Sequence, residues 1–308
     1  MQKQTTNHIL MVRPSYFGFN HETAANNTFQ NNDNASHEQI RQSARNEYDS
    51  LVALLKKNGI NIISYSENPN SQLTDSIFPN NWFSTHYEGH LVTYPMFSEV
   101  RREERDSGVL DLIESMFIIN KHTRLERYEK EMYFLEGTGS MILDRENKRA
   151  YACRSKRTHE VTLDKFCEEF NYEKILFDAV DESGYPIYHT NVMMSLGENI
   201  AVICDESISD EVQKERVFEI LKSDEKHLID ITLDQVKSFA GNILEVKGMN
   251  NQSMMVMSDK AYEAFLPQQI KIIEQFCSVI HSPIPTIEKY GGGGVRCMMA
   301  EIFLKESP

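Results

Sequence analysis

The chain has 308 residues, 40% of them hydrophobic and 25% charged, an ordinary globular composition that excludes disorder of the chain as a whole. No apolar run approaches the roughly 18 residues that a membrane span needs. The net charge of −14, from 46 acidic and 32 basic residues, argues against nucleic acid and anionic membrane as partners.

In chain order, the first 20 residues lack the long apolar core of a secretory signal. His8–Val12 reads as a strand. Asn20–Asn34 is rich in Asn, has turn chemistry and no periodicity, and is a candidate lid over a site. Ser36–Lys57 reads as a helix with Ser36 and Gln39 as a capping box, Gly59 as its stop, and an apolar face of Ile40, Ala44, Tyr48, Leu51, Val52 and Leu55. Short polar-then-apolar segments then recur, anchored at Asn81, Ser140, Asn191, Asn242 and Cys297 at spacings of 59, 51, 51 and 55 residues. The anchors are read as lying on strands. Second apolar runs follow the first four, at Leu91–Met96, Ala150–Cys153, Ile200–Cys204 and Met254–Met257.

An amphipathic helix is expected after each of these runs, because apolar residues spaced by three and four bury one stripe. The four faces are Val109, Leu110, Ile113, Met116 and Phe117; Leu163, Phe166, Cys167 and Phe170; Val217, Ile220 and Leu221, with Ser209 as N-cap; and Leu266, Ile270, Ile273 and Cys277. The fifth anchor, Cys297, has no room after it for a strand and a helix. His8–Val12 and Ser36–Lys57 supply them from the other terminus. The fifth unit is thus split between the chain ends, and a ring closed by its own termini leaves no open sheet edge. The anchors would point toward its axis. No Pro/Ser-rich linker divides residues 1–308, so one domain is expected.

Five cysteines occur, at 153, 167, 204, 277 and 297, without a C-x-x-C pair. An odd count in a chain of this size reads as free thiols and a cytoplasmic location. Four of them fall in apolar stripes or second strands, where free cysteine is a small buried apolar residue. Cys297 differs: it follows Gly291-Gly292-Gly293-Gly294-Val295-Arg296, where glycines let backbone approach a ligand and Arg296 can favour a thiolate. His189 lies two residues before Asn191, on one face if both are on a strand; a structural and a catalytic histidine are both compatible with that placement. Glu136 sits between apolar residues and a glycine turn, either as acceptor for that turn or as a functional carboxylate, since burying it unpaired is costly. Asn242 reads as closing a turn.

Together, Phe78-Pro79-Asn80-Asn81, Leu135-Glu136-Gly137, Ser155-Lys156-Arg157, His189-Thr190-Asn191 and Gly293-Gly294-Val295-Arg296-Cys297 resemble the guanidine-modifying superfamily. It includes arginine deiminases, dimethylarginine hydrolases and amidinotransferases. Its fold is the five-bladed α/β propeller called the pentein fold, with pseudo-fivefold symmetry. The opening Met11-Val12-Arg13-Pro14, Phe19-Asn20-His21-Glu22-Thr23-Ala24 and the closing glycine-rich Cys motif look most like the citrulline-hydrolysing branch. The resemblance implies Cys297 as nucleophile, His189 as general acid and base, and Glu136 as a substrate-binding carboxylate. It also implies Arg101 and Arg157 as partners of the substrate carboxylate, with Arg101 and Arg102 not separable by sequence. Homo-oligomers are common among the proteins it resembles.

Two positions depart from the deiminase pattern, which carries Asp where this chain has Asn81 and Asn191. A guanidinium is always charged and favours bidentate carboxylates. An amide both donates and accepts, which suits a neutral ureido group. The expected reaction is therefore citrulline plus water to ornithine, CO₂ and ammonia. Cys297 attacks the ureido carbon, His189 protonates the departing ammonia, and water activated by His189 resolves a covalent intermediate. Arginine dihydrolase or deiminase activity is the alternative. A non-enzymatic binding protein of the same fold is a remoter one, disfavoured by net charge and by the presence of Cys297, His189 and Glu136 together. No metal-ligand spacing such as H-E-x-x-H occurs, and neither metal nor cofactor is expected. The pairs Met193-Met194, Met254-Met255 and Met298-Met299 are read as alternating strand burial.

Overall fold

The computed structural model describes residues 3–24, 27, 29–31, 33 and 35–308. Fifteen strands in the described residues make five three-stranded sheets. Four are contiguous in sequence. They are β3 (Phe83–His86), β4 (His90–Thr93) and β5 (Lys121–Arg124); β6 (Ile142–Asp144), β7 (Arg149–Cys153) and β8 (Glu173–Phe177); β9 (Met194–Leu196), β10 (Ile200–Ile203) and β11 (His227–Asp230); and β12 (Leu244–Lys247), β13 (Ser253–Ser258) and β14 (Ser278–Ser282). The fifth joins β15 (Ala300–Glu301) to β1 (His8–Arg13) and β2 (Asn61–Ser66), so the two termini share a sheet.

Every sheet repeats one topology. The inner strand pairs antiparallel with the middle strand, and the middle strand pairs parallel with the outer one. A parallel pair needs a crossover. Helices His37–Lys57, Val109–Met116, Glu160–Phe170, Glu211–Ser223 and Pro267–Ile273 lie in the five crossovers. The first has the expected capping box of Ser36 and Gln39, and all six residues of its expected apolar face are buried.

The inner strands face a common axis. Residues of β6, β9, β12 and β15 line one axial cavity of about 20 Å³. The hydroxyl of Thr85 on β3 donates to the carbonyl of Glu301 (3.0 Å) and closes the circle. Gln4 plugs one end, donating to the Leu143 carbonyl (2.8 Å) and accepting from the Arg145 amide (2.7 Å). The middle strands are buried almost throughout, because neighbouring elements cover both of their faces. This is the five-bladed architecture expected from the split repeat.

Several local expectations are corrected. The anchors sit just ahead of the inner strands, not on them: Asn81, Ser140, Asn191 and Cys297 in short helical turns, and Asn242 at the end of a hydrogen-bonded turn opened by Phe239. Pro79 opens the first turn, where its fixed φ and missing N–H suit a helix start. Asp210, not Ser209, caps Glu211–Ser223, because its carboxylate accepts from the Gln213 amide. Leu266 and Met116 are solvent-exposed, since Leu266 only precedes the helix that Pro267 starts and Met116 is the last residue of Val109–Met116. The paired methionines do not alternate: both members of each pair are buried. No helix of the described residues is long and apolar enough to cross a membrane.

Candidate active site

The five anchor turns bond to one another around one end of the axis. The Thr138 hydroxyl donates to the Asn80 carbonyl (3.2 Å), and the Thr190 hydroxyl to the Ser140 carbonyl (2.6 Å). The Asn242 amide donates to the Asn191 carbonyl (2.9 Å), and the Arg296 N–H to the Asn242 carbonyl (3.4 Å). Gly137 has φ +48°, and an added Cβ there would meet the Asn80 carbonyl at 2.5 Å. A side chain at 137 would therefore force the first two turns apart.

This ring brings Cys297, His189 and Asn81 to one small cavity, together with Asp75, Arg101, Arg157 and Tyr188. Cys297 lies in the turn Val295–Met298 and is 5% exposed. Its Sγ faces Nδ2 of Asn242 at 3.3 Å and Nδ2 of Asn191 at 3.5 Å. Burial pushes the thiol above its ordinary pKa, and the two amides and the Arg296 charge work against that push.

His189 precedes the third turn in extended backbone rather than sharing a strand with Asn191. Its Nε2 lies 2.7 Å from Oε2 of Glu136, and both side chains are buried. Burial lowers its pKa to about 4 against the pull of Glu136, which leaves it neutral at pH 7. Glu136 also accepts from the Phe97 amide (2.9 Å) and from Arg157 (3.4 Å). Burial opposes its charge, but Arg157 and His189 prevail and hold it at about 2. Its backbone carbonyl, not its carboxylate, takes the glycine-turn amides of Gly139 and Ser140.

Both candidate arginines are buried, not solvated. Arg101 forms a bidentate pair with Glu104 (2.7 and 3.0 Å) and donates to Oδ1 of Asn81 (2.7 Å) and to the Phe78 carbonyl (3.0 Å). Arg102 instead donates to the Met96 carbonyl (3.0 Å), so the structure separates the two. Arg157 packs over the Tyr188 ring and donates to the Thr23 carbonyl (3.1 Å).

Asp75 is an addition to the residues expected from sequence. It lines the same cavity, six residues ahead of Asn81, and burial raises its pKa. One carboxylate oxygen accepts from Asn20 (2.8 Å) and Thr23 (3.3 Å), and the other has no hydrogen-bond partner among the described residues. The sequence signal for it is an acid two residues ahead of the apolar pair Ile77-Phe78. Asn242 is the second addition: it closes its turn as expected, and its side chain also reaches the sulfur.

Of the candidate lid Asn20–Asn34, the described residues Thr23, Asn27 and Gln30 line this cavity. Asn27 donates to the Gly292 carbonyl (3.3 Å), and Gln30 donates to the Gly291 carbonyl (3.0 Å) and the Thr23 hydroxyl (3.0 Å). Asn26 lies outside the described residues. The cavity beneath measures about 20 Å³, room for roughly one water. Among the described residues, no group of three or more His, Cys, Asp or Glu could hold a metal ion.

Five three-stranded sheets ringed about an axis, with Cys, His and Glu gathered at one end, define a pentein-type fold. Solved structures agree. The apo structure of ArgZ, an arginine dihydrolase from the ornithine–ammonia cycle in cyanobacteria, aligns with 98% of this chain at TM-score 0.74 and 17% identity. Unliganded AgrE aligns over 98% at 0.75 and 17%. A dimethylarginine dimethylaminohydrolase adduct with S-methyl-L-thiocitrulline aligns over 98% of this chain and 100% of its own, at 0.65 and 15%. This chain spans about two fifths of the length of ArgZ and AgrE, 41% and 40%. At such identities the likeness shows the fold. No curated protein matches by sequence. The family model "N,N dimethylarginine dimethylhydrolase, eukaryotic" matches residues 13–304, and the chain belongs to that family.

Proposed function

We propose that the chain is a cysteine-dependent hydrolase of a ureido amino acid, with citrulline as the favoured substrate. The observation that carries this reading is that the side chains hydrogen-bonded to the sulfur are uncharged amides. The side chains hydrogen-bonded to Sγ of Cys297 in the described residues are the amides of Asn191 and Asn242. The third amide, Asn81, is held by Arg101, a cation. Glu136, the carboxylate that the resemblance implies for substrate, already accepts from Phe97, Arg157 and His189. A permanent cation would meet two arginines in this cavity and find one carboxylate, Asp75, on its wall. A ureido group needs no counter-charge and can accept amide N–H bonds on its oxygen. The other end of the amino acid has complementary partners: Arg157 for the carboxylate and the free oxygen of Asp75 for the ammonium.

In this mechanism neutral His189 takes the thiol proton of Cys297. The thiolate attacks the ureido carbon, and His189 returns the proton to the departing ammonia. The C–N bond breaks and an N-alkyl thiocarbamate remains on the sulfur. His189 then takes a proton from water, hydroxide adds, and the C–S bond breaks. The released N-carboxyornithine loses CO₂ to give ornithine. Glu136 keeps the imidazole oriented and stabilises it while it carries the proton.

Acid-quenched intact-mass spectrometry tests the reading. Incubation with citrulline is expected to give an adduct of citrulline minus ammonia on the peptide containing Cys297, absent from Cys297→Ala. The arginine alternative gives arginine minus ammonia instead. Its appearance, with no citrulline adduct and no citrulline turnover, would replace the ureido reading by the guanidino one that the relatives' names suggest.

A further inference from the structure

We propose that Asn242 is a further catalytic residue: its side-chain amide donates to Sγ of Cys297 and holds the sulfur as thiolate for attack. The proposal rests on the reading of Cys297 as nucleophile and adds a group from the fourth sheet to it.

The geometry fixes which end of the amide faces the sulfur. Nδ2 of Asn242 lies 2.9 Å from the Asn191 carbonyl and 3.3 Å from Sγ. A backbone carbonyl only accepts, so the group turned toward it must be the NH₂. One of its hydrogens goes to that carbonyl and the other is free for the sulfur. The Asn191 carbonyl therefore clamps the donor in place. Asn191 also reaches the sulfur, at 3.5 Å, but from further away.

Two local costs are retained at this position. Oδ1 of Asn242 is buried without a hydrogen-bond partner among the described residues, and an orphaned acceptor is unfavourable. Phe239, which opens the turn ending at Asn242, has φ +65°, a left-handed conformation unfavourable for a bulky residue. Its carbonyl accepts the Asn242 N–H at 2.8 Å, so the unfavourable residue is the one that shapes the turn. Gly294 completes the arrangement, because an added Cβ there would meet Oδ1 of Asn242 at 2.7 Å. A residue needed only to close a turn would not require a side chain whose Oδ1 is orphaned beside Gly294 while its NH₂ reaches the sulfur.

The chemistry gives this donor a task. A cationic substrate would itself favour the thiolate by opposite charge, whereas a neutral ureido group offers no such help. Burial disfavours the thiolate, and the Asn242 hydrogen bond is the largest influence opposing it, ahead of Arg296 and Asn191. The other titratable groups around the sulfur are Asp75, Arg101, Arg157, Tyr188 and His189, with Arg296 adjacent in the chain.

The test needs no substrate. The pH dependence of iodoacetamide alkylation at Cys297, followed by peptide mass spectrometry, reports thiolate formation directly. A hydrogen bond to a charged acceptor is among the stronger ones. Asn242→Ala is expected to raise the apparent thiol pKa by about one unit and slow alkylation at pH 7 by about tenfold. The plateau rate at high pH should stay within about twofold, because access is unchanged. Asn242→Asp keeps the shape but replaces the donor by an anion, and should shift the profile further in the same direction. Should Asn242→Ala fail to fold by thermal melt, Asn242→Asp carries the test. A wild-type profile in either folded variant would overturn the proposal and leave Asn242 as a turn residue. Retention of activity by Cys297→Ala would instead overturn the nucleophile reading, so the two failures are distinct.

Discussion

Replacing Arg101 by Met should destabilise the protein severely, and the size of the effect follows from its surroundings. Arg101 and Glu104 are 3% and 1% exposed. The guanidinium makes two short bonds to Glu104 and one each to Asn81 and the Phe78 carbonyl. Methionine fills much of the volume but satisfies none of these acceptors. Burial already pushes Glu104 up to about 7 with Arg101 beside it. Without the cation the carboxyl takes up a proton and sits buried with its acceptors unmatched. Breaking one side of a buried pair costs about 3–5 kcal/mol. For a chain of this length the unfolding entropy scales to a melting-temperature drop of about 5–8 °C. Thermal and urea melts of Arg101→Met at pH 7 measure it. Arg101→Met/Glu104→Leu should recover part of the loss, because a matched apolar pair leaves no stranded carboxyl. A single variant melting within about 1 °C of wild type would refute the assignment of Arg101 as the staple of the first turn.

His189 should make the fold acid-sensitive. Its folded pKa of about 4 lies below the ordinary value, so the unfolded chain binds the proton first. Stability should fall as pH drops from about 6.5 toward 4, and urea denaturation at pH 7 and 5 should show less of that loss in His189→Asn. Gln30→Ala removes bonds to Gly291 and Thr23; it should speed alkylation of Cys297 several-fold at fixed pH, because the closed cavity must open to admit a reagent. Cys153 and Cys204 are pushed to about 11 by burial and Cys167 to about 12, so peptide mapping of limited alkylation at pH 8 should find Cys297 labelled before any of them.

Much of this arrangement is readable from the amino acids because the repeat carries strong local signals. The capping box at Ser36, the stripe from Ile40 to Leu55 and the glycine run before Cys297 each point to structure through side-chain chemistry a few residues apart. The five outer strands were not anticipated. They are short and half-exposed, as in Glu173–Phe177 and His227–Asp230, and their partners lie across a whole helix. Asp75 carries no periodic signal; its place on the cavity wall depends on residues far along the chain, Arg157, His189 and Cys297 among them. Asn242 looked like a turn residue because it is one. Its reach to Cys297 across 55 positions depends on closure of the ring. Arg101 and Arg102 are equivalent on paper, and only the buried Glu104 decides which one turns inward.

Product analysis tests the central claim most directly. Purified protein is incubated with citrulline and, separately, with arginine, with Cys297→Ala as control, and ornithine, citrulline and ammonia are quantified. The uncharged amide partners of Cys297 predict ornithine and ammonia from citrulline, none from arginine, and none from the variant. Ornithine or citrulline made from arginine would contradict it and give the site to a guanidinium.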